Sequence, residues 1–233
     1  MKCKNSSSED KRNSPKFKRK SMYKRLICLV ITLFLLVPIC LSAGDSVAER
    51  SLIIYYSRTG KTKLVSEKLQ KNLDADLLEI KDPKDRSGAW GYIKSSMDAF
   101  SHRHTPIEPE KIDLSSYSFI IIATPIWSWN LSTPILTLFE KNRFDGKKVV
   151  LITTANIHVM KYEQYGDDAP FIKRFLRDYL RGKREVAVSE VDNSGGEFIG
   201  HYHIATKEMT DKEIIDETMK CIDYAKKVIL ASH

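Results

Sequence analysis

From residue 51 onward the chain alternates short, continuous apolar runs with stretches of helical period. Residues 52–56 (LIIYY), 119–123 (FIIIA) and 149–152 (VVLI) are β-branched or aromatic and apolar at successive positions. That pattern predicts central strands of a parallel sheet, covered on both faces. Residues 76–80 (DLLEI) are broken by charge and suit an edge strand. Helical segments are predicted between them, over 61–73, 90–102 and 132–141. Phe171, Ile172, Phe175, Leu176, Tyr179 and Leu180 form an apolar stripe at helical spacing, and Ile215, Met219, Ile222 and Ile229 repeat it near the C-terminus. Residues 185–191 and 197–204 read as a fifth strand, extended or interrupted around Asn193-Ser194-Gly195-Gly196. Strands alternating with helices imply right-handed βαβ crossovers and one doubly wound α/β domain over residues 49–233.

Residues 1–48 follow another pattern. Ten Lys or Arg precede Leu26 against Glu9 and Asp10, and a 16-residue apolar run follows over 26–41, broken only by Thr32 and Pro38. A basic flank before an apolar run predicts an export signal, with everything after it on the far side of the membrane. The run lies between a signal-peptide core and a spanning helix of about 20 residues, so both a cleaved signal and a membrane anchor fit. Ser42 and Ala43, or Ser46 and Ala48, offer small residues to a peptidase, and Met22 begins a stretch with the proportions of an ordinary signal peptide. Bulky Ile39 before Cys40 argues against lipidation, and no Arg pair supports the twin-Arg route.

Removing this segment changes the meaning of the net charge of +8. The chain after residue 25 holds 28 basic and 28 acidic side chains, so the phosphate attraction that nucleic-acid binding needs has no source there. Only Cys221 follows residue 45, which excludes a disulfide framework or a cysteine zinc site in the main domain. His102 and His104, and likewise His201 and His203, are spaced two apart, but they form no complete ligand set, and no metal is expected.

In a doubly wound sheet of order 2-1-3-4-5 the ligand lies outside the carboxyl ends of the strands, at the crevice between strands one and three. The first loop there reads Ser57-Arg58-Thr59-Gly60-Lys61-Thr62. Its end imitates a P-loop, but that motif needs glycine where this chain has Tyr55, which argues against a nucleoside triphosphatase. Three hydroxyls, a glycine and a helix N-terminus instead suit a terminal phosphomonoester. The competing reading is a plain helix start capped by Ser57 or Thr59. The loop after the third strand, Thr124-Pro125-Ile126-Trp127-Ser128-Trp129-Asn130, carries two of the three tryptophans. An indole suits the face of a flat heteroaromatic ring, with one of the two expected to serve packing. The loop after the fourth strand, over 153–168, includes Asn156, Tyr165, Gly166 and Asp167 as candidates for a second wall.

Ser-x-Thr-Gly-x-Thr after the first strand, with Thr-Pro-Ile-Trp-Ser-Trp and then Ser-Thr-Pro after the third, resembles the flavodoxin family across residues 51–231. The resemblance implies FMN as cofactor. Ser57 to Thr62 would take the ribityl phosphate, Pro125 to Trp129 would flank the isoalloxazine, and the loop around Asn156 and Tyr165 would close the other side. The sequence departs from the family's pattern at Lys61, where Asn is usual, and at Ser128, where many flavodoxins carry Gly beside the flavin N5. The domain also lacks the strongly acidic character of the electron-carrier flavodoxins. The expected function is electron transfer or NAD(P)H-dependent quinone or flavin reduction outside the cytoplasm, with a redox partner protein or a quinone-like acceptor. The alternative is a binding or scaffold domain without flavin turnover.

Overall fold

A computed structural model describes residues 50–156 and 166–232, all within one compact unit, Ala48–His233. The basic and apolar N-terminal segment lies outside the described residues, as does Tyr165. Among the described residues no helix is long and apolar enough to cross a membrane.

The strands are β1 (Ser51–Tyr55), β2 (Asp76–Glu79), β3 (Phe119–Trp127), β4 (Asn130–Leu131), β5 (Lys148–Ala155) and β6 (Glu197–Ala205). The helices are α1 (Lys61–Leu73), α2 (Gly88–Phe100), α3 (Thr133–Lys141), α4 (Phe171–Asn193) and α5 (Asp211–Ala231). The sheet runs β2-β1-β3-β5-β6 with every pairing parallel, which is the expected order 2-1-3-4-5 once the short β4 is set aside. β4 pairs antiparallel with the tip of β3.

Successive strand residues point to opposite faces, and both faces here are covered. Leu52 and Ile54 of β1, Ile120 and Ile122 of β3 and Leu151 of β5 pack with Ile135 and Leu138 of α3 and Val191 of α4. Ile53, Ile121, Val150 and Ile152 pack instead with Val65 and Leu69 of α1 and with Ile214 and Ile222 of α5. α5 begins with a reciprocal cap, in which the Glu213 N–H donates to the Thr210 hydroxyl and Thr210 N–H to the Glu213 carboxylate.

Three sequence expectations are corrected. Residues 185–191 are the last part of α4, not strand. Their Val content suggests a strand, but Ala187 and Val191, four apart, pack into the core, and no helix breaker intervenes before Ser194 and Gly195. Gly195, at φ +84°, turns the chain from the helix into β6. Second, the buried stripe of α5 runs through Ile214, Thr218, Cys221, Ile222 and Ala225, so Met219 is exposed. Counting apolar residues overlooks Thr218, whose hydroxyl donates to the Ile214 carbonyl at 2.6 Å. Third, β3 continues through Trp127 where a loop from Thr124 was expected. Pro125 is tolerated in this central strand because its nitrogen faces the side on which β1 has already ended; the last contact there is Tyr56 N–H to the Ala123 carbonyl at 3.1 Å.

Candidate functional site

A cleft of about 430 Å³ opens at the carboxyl edge of the sheet. Its floor and one end come from the β1–α1 loop. Gly60 is the N-cap of α1 at φ +88°, with no side-chain cap. The Ser57 hydroxyl accepts from Gly60 N–H at 3.1 Å and so shapes the turn, and neither Ser57 nor Thr59 caps the helix. Helix geometry leaves the N–H groups of Lys61, Thr62 and Lys63 without acceptors inside α1. Leu64 N–H to the Gly60 carbonyl, at 2.9 Å, is the first bond of the helix. Thr62 is buried, its hydroxyl 2.8 Å from that of Thr154 on β5.

Two cations line this end. Lys61 donates to the Thr206 carbonyl beyond β6, and Arg58 lies over the Tyr92 ring at 5.4 Å. Among the described residues no carboxylate lines the cleft. The donor set of backbone N–H groups, hydroxyls and two cations is that of an anion site, and it fits a phosphate monoester.

The other end is the β3–β4 hairpin. Trp127 and Asn130 pair across a two-residue turn, Ser128-Trp129, with φ of 46° and 67°. Two positive φ angles define the turn type whose twist matches a hairpin, but it favours Asn and Gly, so both residues are strained. The strain is opposed from outside. The Asn130 amide donates to the carbonyls of Ala99 (3.2 Å) and Ser128 (3.1 Å), and Lys183 of α4 donates to its oxygen at 3.0 Å.

The two tryptophans differ in role. Trp127 is 4% exposed, edge-on to Tyr56 with ring centroids 5.5 Å apart, and it reaches the cleft from the core. Trp129 is half-buried, with its edge toward Tyr179 of α4. Behind Trp127 lies Arg86, whose guanidinium is 5.1 Å from the indole centroid. Burial works against the Arg86 charge, but Asp82 and Asp98 outweigh it and hold the group charged. Burial, with Asp82 adding to it, pushes the Tyr56 hydroxyl up to about 12.

Of the expected site residues, Arg58, Thr59, Lys61, Thr62, Asn156 and the run from Pro125 to Trp129 line the cleft. Ser57 and Gly60 shape the loop beneath it. Thr124 is buried behind the wall, its hydroxyl 2.8 Å from that of Ser132. Gly166 and Asp167 are exposed on the turn leading to α4 and do not line it. Tyr92, Thr154, Ala155 and Thr206 line the cleft without having been singled out. Thr154 and Ala155 carry a readable signal, since they end the strand just before Asn156; Tyr92 and Thr206 carry none. The imidazole pairs lie elsewhere. His104 pairs with Glu140 at 2.9 Å. His201 and His203 share the Thr153 hydroxyl at 2.8 and 2.9 Å, and burial pushes His201 down to about 3, with His203 and Arg184 adding to it.

A parallel sheet of this order, with its cleft at the first loop and the hairpin, defines a doubly wound protein that binds a ligand at its topological switch point. The chain belongs to the flavodoxin family, whose profile matches residues 50–166, the stretch that holds both ends of the cleft. Solved structures similar to it include two proteins assigned as flavoproteins. The one from Bacteroides uniformis is 16% identical at a TM-score of 0.51, covering 72% of this chain and 96% of that one. The one from Bacteroides eggerthii is 19% identical at 0.51, covering 75% and 98%. A flavoprotein from Lactobacillus acidophilus, solved in complex with FMN, is 22% identical at 0.49, covering 73% and 99%. At these identities the likeness is one of fold. No curated protein matches the chain.

Proposed function

We propose that this chain is an FMN-binding redox protein that moves electrons outside the cytoplasm, to or from a partner protein or a small acceptor such as a quinone. The observation that carries the reading is the uncapped N-terminus of α1, opening with Gly60 into a cleft that holds Arg58 and Lys61 and, among the described residues, no carboxylate. Such an end favours a dianion, and FMN supplies one. Thr59, Thr62 and the first N–H groups of α1 would hold the phosphate, while Pro125, Ile126 and the two indoles would flank the ring system and keep water from it. When bound, FMN supplies the electron-carrying chemistry; the protein supplies position, desolvation and local field. The neutral domain and its two cleft cations disfavour a reduced anionic flavin less than the acidic surface of the electron-carrier flavodoxins would. Export is supported by the ten basic residues before Leu26 and the apolar run over 26–41.

An absorption spectrum of the purified full chain, with and without added FMN, tests the cofactor. FMN is expected to bind more tightly than riboflavin, which lacks the phosphate. Equal affinities would remove the argument from α1, and the absence of any flavin binding would leave a scaffold role. Cell fractionation tests the location, and the protein found only in the cytoplasm would overturn it.

A further inference from the structure

We infer that Arg86 is the positioning residue of this cleft: one buried guanidinium sets the Trp127 indole at the hairpin end while its own backbone carbonyl receives Arg58 from the loop end. The inference rests on the FMN reading and adds to it a residue that does not itself line the site.

Arg86 lies between β2 and α2, 5% exposed. Its Nε donates to Asp82 Oδ2 at 2.5 Å. Nη1 donates to Asp98 Oδ2 at 3.1 Å and Ser95 Oγ at 3.3 Å, both on α2, and Nη2 donates to Thr133 Oγ1, the first residue of α3, at 3.1 Å. The guanidinium carbon lies 5.1 Å from the centre of the Trp127 ring. The Arg86 carbonyl takes a long hydrogen bond, 3.4 Å, from Arg58 Nη1. Gly91 of α2 presses on the same backbone, where a Cβ would lie 2.2 Å from the Arg86 carbonyl carbon. Of the parts touched in this way, the loop after β1 carries Arg58, α2 carries Tyr92 and β3 carries Trp127, and all three side chains line the cleft.

Guanidinium suits the position because it is a planar fork of five donors with a face that lies against an aromatic ring; an ammonium has neither. Stability alone does not account for the group. Burying an arginine with two carboxylates costs desolvation that their attraction barely offsets, and apolar replacement of such a set is often neutral or stabilising. The set delivers geometry instead. Asp82 is fully engaged, accepting from Lys84 N–H and the Thr105 hydroxyl as well, so the guanidinium plane has one orientation, and the indole lies on it.

Arg86→Lys in the full chain tests the inference, because it keeps the charge and does not strand the carboxylates. The variant is expected to keep its far-UV circular dichroism, to change the near-UV tryptophan signal of the flavin-free protein, and to shift the flavin reduction potential. Its FMN Kd is expected to rise about five-fold or more, the scale of one typical hydrogen bond. In a Trp127→Phe background the same substitution should change Kd by less than about two-fold, since residues acting through one contact are non-additive. Thr133→Val removes one neutral partner of Nη2, is expected to raise Kd about two-fold, and serves if Arg86→Lys does not fold. A folded variant with wild-type near-UV signal, affinity and potential would overturn the inference, as would an equal effect of Arg86→Lys with and without the indole. Failure of the wild-type chain to bind FMN would instead remove the proposed function, and the flavin-free tryptophan signal would still decide whether Arg86 sets Trp127.

Discussion

At the loop end of the cleft, the turn, the αL glycine and the helix N-terminus all come from six consecutive residues, Ser57 to Thr62. The hairpin end is assembled from four elements: β3 and β4 supply the turn, α2 supplies Ala99 as an acceptor, and α4 supplies Lys183. The first arrangement needs only local backbone geometry, with Gly60 free to adopt φ +88° and nothing within 4 Å of where its Cβ would be. The second holds two non-glycine residues at positive φ, each disfavoured by roughly 1–2 kcal/mol, so the surrounding structure must over-determine it. A binding motif written contiguously folds with its helix, whereas a wall written as a strained turn depends on partners far away in the chain.

The comparison breaks most directly at Arg86. Arg86→Met leaves the buried Asp82 without a counter-charge and Asp98 with only the exposed Arg103 at 3.9 Å, and about 3–5 kcal/mol of stability should be lost in urea unfolding. A loss below about 1 kcal/mol would mean that the hairpin end does not depend on this set. Trp127→Ala is expected to cost a similar amount, about 3–5 kcal/mol, as a buried tryptophan truncation. Gly91→Ala forces a methyl group into the Arg86 backbone and should cost about 1–3 kcal/mol by thermal melting; an unchanged Tm would show that α2 does not need this close approach.

The loop end should respond in affinity rather than stability. Thr59 is exposed, so Thr59→Ala is expected to leave the melting temperature unchanged while weakening FMN by about 1–3 kcal/mol in a calorimetric titration. Thr62→Ala should weaken FMN by a similar amount and also destabilise the protein by about 1 kcal/mol, because its hydroxyl meets that of Thr154. If the two variants cannot be told apart by stability, the Thr62–Thr154 contact is not maintained in solution. Trp129→Ala sets the lower bound. Among the described residues its ring contact is the T-shaped one with Tyr179, about 0.5–1.5 kcal/mol, and a cost equal to that of Trp127→Ala would erase the distinction between the two indoles.

The apolar runs at 52–56, 119–123 and 149–152 determined the parallel sheet, because a strand buried on both faces has no room for polar alternation. The loop Ser57 to Thr62 was equally legible, since hydroxyls, glycine and helix start follow one another in the chain. Residues 185–191 were not. Val and Glu there read as strand, and only the seating of Ala187 and Val191 against the core shows a helix, because β-branched propensity is weak beside tertiary packing. Tyr92 and Thr206 reach the cleft through α2 and through the end of β6, elements whose placement no local pattern specifies.

Arg86 owes its role most completely to packing. In the sequence it stands among Lys84, Asp85 and Ser87 as one more charge in a polar loop. Folding brings it beneath Trp127, more than forty residues on, with its carboxylate partners at Asp82 and Asp98. Hydrophobic period and turn chemistry act between neighbours and can be read along the chain. A buried charge network is stable only where its partners converge in space, and that convergence is a property of the packed sheet and its helices.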